Sequence, residues 1–139
     1  MRILGIDYGD SRVGIAVSDP LGITAQGVTT LLNRVYDKML ESLLKIIDEY
    51  KVEKIVLGMP KNMSGTNGER TVVTQSFCDD LKKMCGDIPV VLWDERLTTV
   101  QASGILNTTN TRGRDRKKVI DTVAACIILQ SYLDYSKGE

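Results

Sequence analysis

The sequence predicts an α/β fold in which one mixed five-stranded sheet is flanked by helices. Three strand-like segments follow one another near the N-terminus, and helical and strand-like segments then alternate. Short connections make the first three strands antiparallel neighbours, and right-handed crossovers place the fourth and fifth strands parallel to the first. The chain has 139 residues, the length of one domain, and we expect residues 1–139 to form a single domain.

The first three strands are predicted from alternation and turn residues. Ile3–Asp7 is apolar and ends at an acid. In Arg12–Asp19, Val13, Ile15 and Val17 alternate with smaller residues, which is the period of a strand. A turn at Pro20 follows, and Ile23–Thr30 is the third strand.

The middle of the chain switches to helical periodicity and back. Lys54–Gly58 and Pro89–Trp93 predict the fourth and fifth strands, and a polar loop over residues 59–65 follows the fourth. The first helix is predicted from apolar residues at helical spacing, which are Val35, Met39, Leu43, Ile47 and Tyr50.

Capping signals predict three further helices. Thr66 with Glu69, and Thr98 with Gln101, have the spacing of a capping box, and the second of these helices ends near Asn107. The inner face of the first is expected to carry Val73, Phe77, Leu81 and Met84. The last helix is predicted over Arg116–Tyr135, with Asp115 as its N-cap.

The composition excludes several classes of chemistry. The chain has no histidine, which excludes Ser-His-Asp and Cys-His nucleophiles and zinc sites with imidazole ligands. Lysine plus arginine number 18, as do aspartate plus glutamate, so the net charge is zero. Any nucleic-acid partner must therefore be held by a local basic patch.

The cysteines and the N-terminus indicate a cytoplasmic protein. Cys78, Cys85 and Cys126 are an odd number without a C-x-x-C pair, so we expect reduced thiols. Cys78 and Cys85 are seven apart, on one side of a helix, and we interpret them as buried apolar side chains. The first apolar stretch ends at Asp7, too soon for a signal peptide, and no apolar run reaches transmembrane length. We expect no membrane partner.

Acidic residues follow two of the parallel strands, at the edge of the sheet where ligands usually bind in folds of this class. Asp7 closes the first strand, and Asp94 and Glu95 close the fifth; alternation lets only one of the latter pair join Asp7. Asp121 stands among apolar residues of the last helix, where an unpaired carboxylate costs several kcal/mol. A divalent cation with oxygen ligands, Mg²⁺ or Mn²⁺, removes that penalty.

Each acid also has a simpler interpretation. Asp7 can serve as an ordinary turn residue, and Asp121 can serve as an N-cap of a helix that starts late. Glu95 can pair with Arg96 on the surface. The convergence of three acids at one sheet edge favours a site over these separate explanations.

Positive charge is concentrated just before Asp121. The run consists of Arg112, Arg114, Arg116, Lys117 and Lys118, opposed within it by Asp115 alone. Beside a carboxylate–metal centre, such charge would hold a phosphate backbone. The alternative is a solvated loop and first helical turn.

The glycine-rich N-terminal hairpin around Asp7 is compatible with two functions. Its glycines allow the backbone to approach a phosphate group, but no helix follows, so it is neither a P-loop nor a dinucleotide motif. Sugar kinases, actin and heat-shock ATPases open with a similar hairpin, and so do nucleases of the ribonuclease H type. The hairpin by itself leaves both open.

Four sequence blocks, spread over nearly the whole chain, resemble one family. They are Gly5–Gly9 with Arg12–Asp19, Gly58–Pro60 with Asn62 and Gly65, Asp94–Thr99, and Lys118–Asp121 with Ala124, Ala125 and Ile128–Gln130. In this order they resemble the YqgF/RuvX family of small bacterial proteins, described as Holliday-junction resolvases and as nucleases of pre-16S ribosomal RNA.

The resemblance implies a ribonuclease H-like fold and a divalent-metal-dependent nuclease using Mg²⁺ or Mn²⁺. It assigns the catalytic and metal-binding site to Asp7, Glu95 and Asp121, with Glu95 as the inward acid of its pair. The expected reaction is phosphodiester hydrolysis in processing of the 5′ end of pre-16S rRNA. The residues expected to hold nucleic acid are Arg12, Arg96, Arg112, Arg114, Arg116, Lys117 and Lys118.

Alternative functions remain open at this point. A Holliday-junction resolvase acting on branched DNA would need a homodimer, because it makes two symmetric cuts, whereas an RNA-end processor can act as a monomer. An actin-like ATP-binding phosphotransferase is disfavoured because such enzymes use two domains of this fold. A non-catalytic nucleic-acid-binding module is the third alternative. Aromatic residues are 5% of the chain and scattered, so no base-stacking platform is predicted.

Overall fold

The structure, a computed structural model, describes residues 2–9, 11–59, 68–94 and 113–137. This part of the chain forms five strands and three helices, in the order β1 (Arg2–Tyr8), β2 (Arg12–Ser18), β3 (Ala25–Leu32), α1 (Tyr36–Glu49), β4 (Val52–Met59), α2 (Gly68–Cys85), β5 (Val90–Asp94) and α3 (Gly113–Lys137). In α2 and α3 the described side chains are those of residues 72–85 and 122–136.

The five strands form one mixed sheet in the order β3-β2-β1-β4-β5. Strand β1 lies at the centre, antiparallel to β2 and parallel to β4, while β3 continues the antiparallel half and β5 the parallel half. The predicted fold class and strand directions are confirmed. The carboxyl ends of β1, β4 and β5 therefore lie at one edge of the sheet.

Strand β3 begins at Ala25, two residues later than predicted. The Asp19 carboxylate accepts hydrogen bonds from the backbone N–H groups of Ile23, at 2.6 Å, and Thr24, at 2.9 Å. These hydrogen bonds, chiefly the one from Thr24, lower the pKa of Asp19 from its usual value. The two residues are thus bound into the β2–β3 turn instead of extending the strand.

One face of the sheet packs against α1 and α2. The core on this face contains Leu4 and Ile6 of β1 together with Met39 and Leu43 of α1, all buried. The predicted inner face of α1 is confirmed, except that Val35 precedes the helix and is half exposed.

The packed face of α2 consists of Thr74, Phe77, Cys78 and Leu81, each at most 1% exposed. Phe77 and Leu81 are buried as predicted, and Met84 is half-buried. Val73, predicted to face inward, is 42% exposed, so that part of the prediction was wrong. A threonine occupies the buried position, and a search for apolar spacing alone assigns threonine to the surface.

A hydrogen bond ties the two helices of this face together. The Tyr36 hydroxyl donates to Oδ2 of Asp80 at 2.6 Å. Burial, and then this bond to a carboxylate, raise the pKa of Tyr36 far above its usual value. The phenol therefore stays protonated and remains a donor.

The opposite face of the sheet packs against α3, which confirms helices on both faces. The second core is formed by Ile3, Ala16, Val56, Ala125, Ile128, Leu129 and Leu133. Helix α3 crosses the central strand and the antiparallel half of the sheet.

Two glycines let α3 approach the sheet closely. A Cβ at Gly5 would lie 2.7 Å from Cβ of Leu129, and one at Gly27 would lie 2.5 Å from Cγ2 of Thr122. Both separations are shorter than real contacts between carbon atoms allow. The depth at which α3 sits therefore requires a residue without a side chain at each position.

The described part of α3 is already helical at Gly113, three residues before the predicted start. Asp115 lies in its first turn and is not the N-cap, which corrects the prediction. Asp121 is eight residues past Gly113, so its interpretation as an N-cap is excluded. The early start has a simple cause, because arginine and lysine are good helix formers and extend the helix beyond its apolar stripe.

Other predicted features lie partly or wholly outside the described residues. Met59, predicted to begin a loop, is the last residue of β4. The rest of that loop, Thr66 of the first capping pair, and the helix predicted from Thr98 lie outside the described residues.

The close approach at Gly27 can be tested with a double-mutant cycle. Gly27→Ala should lower the free energy of unfolding by about 1–3 kcal/mol, because the added methyl group meets Cγ2 of Thr122. Thr122→Ser removes that methyl group and keeps the hydroxyl. Urea denaturation should therefore show the double variant to be more stable than the sum of the two single changes predicts. Simple additivity would contradict the close packing.

Candidate active site

Asp7 lies near the end of the central strand, on the face covered by α3. Its neighbours Ile6 and Tyr8 point into the core formed with α1 and α2. Gly5, two residues earlier, faces Leu129 of α3. Because side chains alternate along a strand, Asp7 lies on the α3 side, where it is half-buried.

The turn after Asp7 is held by backbone packing and by one asparagine. A Cβ at Gly9 would lie 2.6 Å from the Arg12 carbonyl oxygen, so the hairpin closes too tightly for a side chain there. Nδ2 of Asn33 donates to the Gly9 carbonyl at 3.0 Å and to the Tyr8 hydroxyl at 3.2 Å. The backbone N–H of Asn33 also donates to the Ser11 carbonyl at 2.8 Å. Sequence reasoning missed Asn33, since an asparagine in a turn carries no further signal.

Helix α3 brings the backbone of Asp121 to the level of Asp7. In the sheet register Asp7 pairs with Gly14, which in turn pairs with Thr30. The Thr30 hydroxyl is hydrogen-bonded to the Thr122 hydroxyl at 2.7 Å. Asp121 therefore lies on the turn of α3 that passes over the carboxyl edge of β1.

The other end of α3 is anchored at the opposite edge of the sheet. Oε1 of Gln130 accepts the Ala25 N–H at 2.9 Å, and its Nε2 donates to the Ile23 carbonyl at 3.1 Å. With the contact between Thr30 and Thr122, these bonds fix the direction of the helix. Its N-terminal half, which carries the basic run, therefore lies toward the edge where Asp7 lies.

Asp94 lies at the same edge as Asp7 but on the opposite face. Trp93 pairs with Gly58, and its Nε1 donates to the Ser131 hydroxyl of α3 at 3.2 Å. Asp94, the next residue, pairs with buried Met59 and by alternation faces the α1 and α2 side. Glu95 lies outside the described residues.

The structure describes the side chain of one of the three predicted acids, Asp7. Among the described side chains, no group of three acids or cysteines is close enough to hold a metal ion. A half-buried carboxylate at a strand end does fit the oxygen chemistry that Mg²⁺ and Mn²⁺ prefer.

The predicted basic residues lie on two elements. Arg12 begins β2, beside the hairpin turn, and is half-buried. The backbones of Arg114, Arg116, Lys117 and Lys118 belong to the first two turns of α3. Arg96 and Arg112 lie outside the described residues.

Aromatic residues that are scattered in the sequence come together in the structure. The ring of Trp93 lies edge-on to Tyr132, with centroids 5.5 Å apart, and 5.3 Å from the ring of Tyr135. Nζ of Lys54 donates to the Tyr132 hydroxyl at 3.0 Å. Trp93 is distant from the two tyrosines in the sequence, and the rings meet because α3 packs against Trp93 of β5. The absence of a base-stacking platform stays a prediction.

The cysteines carry no sign of a redox or nucleophilic role. All three thiols are free, Cys78 is fully buried, and Cys85 and Cys126 are half-buried. Burial raises the pKa of each thiol, which disfavours the reactive thiolate. The interpretation of Cys78 as a buried apolar side chain is confirmed.

Solved structures share this architecture. RuvC of Thermus thermophilus in complex with a Holliday junction substrate superposes with a TM-score of 0.62 at 14% identity, covering 99% of this chain and 96% of that one. The yeast mitochondrial Holliday junction resolvase Ydc2 gives a TM-score of 0.56 at 10% identity, covering 98% of this chain and 81% of that one. The chain thus has the ribonuclease H-like fold of the RuvC-type resolvases.

The relatives matched by sequence share far more identical residues with this chain than the solved structures do, and they identify its family. The RuvX family, described as Holliday junction resolvase, matches residues 1–135, and the chain belongs to this family. A relative from Halothermothrix orenii is 50% identical over 135 residues, 97% of this chain and 96% of its own length. One from Clostridium kluyveri is 48% identical over 134 residues, 96% of this chain and 97% of its own. Both carry the name "Putative pre-16S rRNA nuclease".

None of the described helices combines the length and the hydropathy needed to cross a bilayer.

Replacing the asparagine that holds the hairpin should destabilise the protein in a pH-dependent way. Asn33→Asp puts a carboxylate against the Gly9 carbonyl and should lower the free energy of unfolding at pH 7 by about 1–3 kcal/mol. The carbonyl oxygen disfavours the ionised form, so the pKa of the new carboxyl should rise on folding. The stability difference from the parent should therefore shrink as pH falls from 7 to 4 in urea titrations. A difference that grows toward low pH would contradict the role of Asn33 as a donor.

Proposed function

We propose that this chain is a metal-dependent nuclease that hydrolyses phosphodiester bonds, with Asp7, Glu95 and Asp121 as its acidic site. One observation carries the proposal: the half-buried Asp7 and the turn of α3 that bears Asp121 lie at one sheet edge and on one face. Membership of the RuvX family supports nuclease chemistry over the ATP-binding alternative.

The carboxylates would hold Mg²⁺ or Mn²⁺. Asp7 would be the central ligand because it lies on the middle strand, and Glu95 and Asp121 would approach from the fifth strand and from α3. When bound, the cation would polarise the scissile phosphodiester and lower the pKa of the attacking water. The chain has no histidine to act as a base, so its own residues serve mainly to bind and orient.

The basic residues would hold the phosphate backbone. Arg114, Arg116, Lys117 and Lys118 would act from α3, Arg12 from the hairpin, and Arg96 and Arg112 from their neighbouring positions. Contacts of this kind carry little sequence information, so recognition should follow the shape of the nucleic acid.

We propose pre-16S rRNA as the substrate, because the relatives at 48–50% identity are named for a nuclease of that RNA. Within it, the 5′ end is the site of cleavage expected from the sequence. Branched DNA is the second candidate, and the description of the RuvX family favours it. In the first case the chain would act as a cytoplasmic domain spanning residues 1–139, as a monomer. In the second it would need a homodimer.

Neutralising Asp7 should abolish cleavage without unfolding the protein. Asp7→Asn keeps the volume and removes the charge that holds the cation, so the cleavage rate should fall by more than ~100-fold. Cleavage of a pre-16S leader RNA and of a four-way DNA junction would be measured with Mg²⁺, Mn²⁺ or EDTA. Asp94→Asn is the matched control, since it makes the same change at the same edge but on the opposite face. Full activity of Asp7→Asn would remove the proposal.

Neutralising Asp121 should also abolish cleavage but raise stability in EDTA. Without a cation, neighbouring carboxylates repel one another, and Asp121→Asn relieves that repulsion. Its melting temperature in EDTA should rise above that of the parent, and added Mg²⁺ should narrow the gap. A melting temperature well below the parent's in EDTA would indicate a structural role for Asp121 instead.

A further inference from the structure

A groove lies between the end of β3 and the start of α1, outside the acidic site and outside the predicted basic run. Its volume is about 360 Å³, and its lining includes Leu32, Arg34, Val35 and Lys38. Both of its charged lining residues, Arg34 and Lys38, are cationic and exposed. The acids of the same helix segment, Asp37 and Glu41, do not line it.

The groove also has an exposed apolar wall. Leu32 is 54% exposed and Val35 is 51% exposed. Cations beside apolar surface suit a ligand that carries phosphate groups next to sugar and base surfaces, which describes a nucleic-acid strand.

The groove is joined directly to the turn that follows Asp7. Asn33, between Leu32 and Arg34 in the chain, donates to the Gly9 carbonyl at 3.0 Å and to the Tyr8 hydroxyl at 3.2 Å. In the β2–β3 pairing, Leu32 lies opposite Arg12. The groove and Asp7 therefore belong to the same edge of the sheet, and Asn33 fixes their relative position.

We propose that this groove binds a flanking segment of the nucleic-acid strand whose scissile phosphate lies at Asp7. Arg34 and Lys38 contact its phosphates, and Leu32 and Val35 pack against its sugars or bases. This inference rests on the proposed nuclease function and adds a second phosphate-binding surface, beside α1 at the sheet edge that carries Asp7.

The first test removes the two charges. Arg34→Gln with Lys38→Gln should weaken binding of a pre-16S leader RNA and a four-way DNA junction by roughly tenfold or more in EDTA, where no cleavage occurs. The slope of log affinity against log salt should flatten by about 1.4 to 1.8, since each phosphate contact contributes about 0.7 to 0.9. Lys82→Gln with Lys83→Gln is the matched control, because both residues are exposed in the last turn of α2, outside the groove.

The second test introduces a negative charge without endangering the fold. Val35 occupies the N-cap position of α1, with φ −122° and ψ 108°, and no side chain caps the helix. Val35→Asp and Val35→Thr both supply a capping oxygen, so neither should lower the melting temperature. Val35→Asp should weaken nucleic-acid binding by roughly tenfold relative to Val35→Thr, because its carboxylate repels phosphate in the groove.

The outcomes separate this inference from the proposed function. If the parent binds and cleaves but both groove variants match their controls in affinity and salt slope, the groove proposal is overturned and the nuclease proposal stands. If the parent neither binds nor cleaves either substrate, both proposals fail together. If the groove variants lose affinity only for an acidic peptide and keep it for RNA and DNA, the groove is a protein-docking site and the proposal is overturned.

Discussion

The close packing of α3 on the sheet is the constraint on which the candidate site depends. Gly5 and Gly27 leave no side chain between helix and strands, and a methyl group at either would collide with Leu129 or Thr122. Because the helix lies this close, the turn carrying Asp121 passes over the end of β1 instead of standing away from it. A helix one side chain further out would separate that turn from Asp7 by several ångströms, more than a shared cation tolerates.

Polar contacts then fix where along the sheet the helix stops. Thr122 bonds Thr30 near the edge that carries Asp7, and Gln130 bonds Ala25 near the opposite edge. Apolar packing between these points resists separation but is weakly directional, whereas hydrogen bonds at both ends oppose sliding. Apolar burial thus sets the distance between α3 and the sheet, and the hydrogen bonds set the position of Asp121 along the sheet.

The same edge is also held from the other face of the sheet. Asn33 links the start of α1 to the hairpin after Asp7, so the side chains of the groove move with the acidic strand. In the proposed nuclease, cationic residues of α3 and of the groove lie at the same sheet edge as the acidic strand. A protein with zero net charge can bind a polyanion in this way because the field that matters is local.

Local pattern sufficed for the elements and their directions. Alternation and helical spacing involve residues only a few positions apart, so the strands and α1 could be predicted from the sequence alone. The lengths and handedness of the connections then predicted that the parallel strands end at the edge that carries Asp7. Contacts between distant residues could not be predicted in this way. The burial of Thr74 in α2 and the contact of Trp93 with Tyr132 both depend on how the elements pack, because no local period marks a buried threonine or a pair of aromatic residues far apart in the chain. Glu95 stays a prediction of the sequence, whereas the place of Asn33 and its groove followed only from the folded chain.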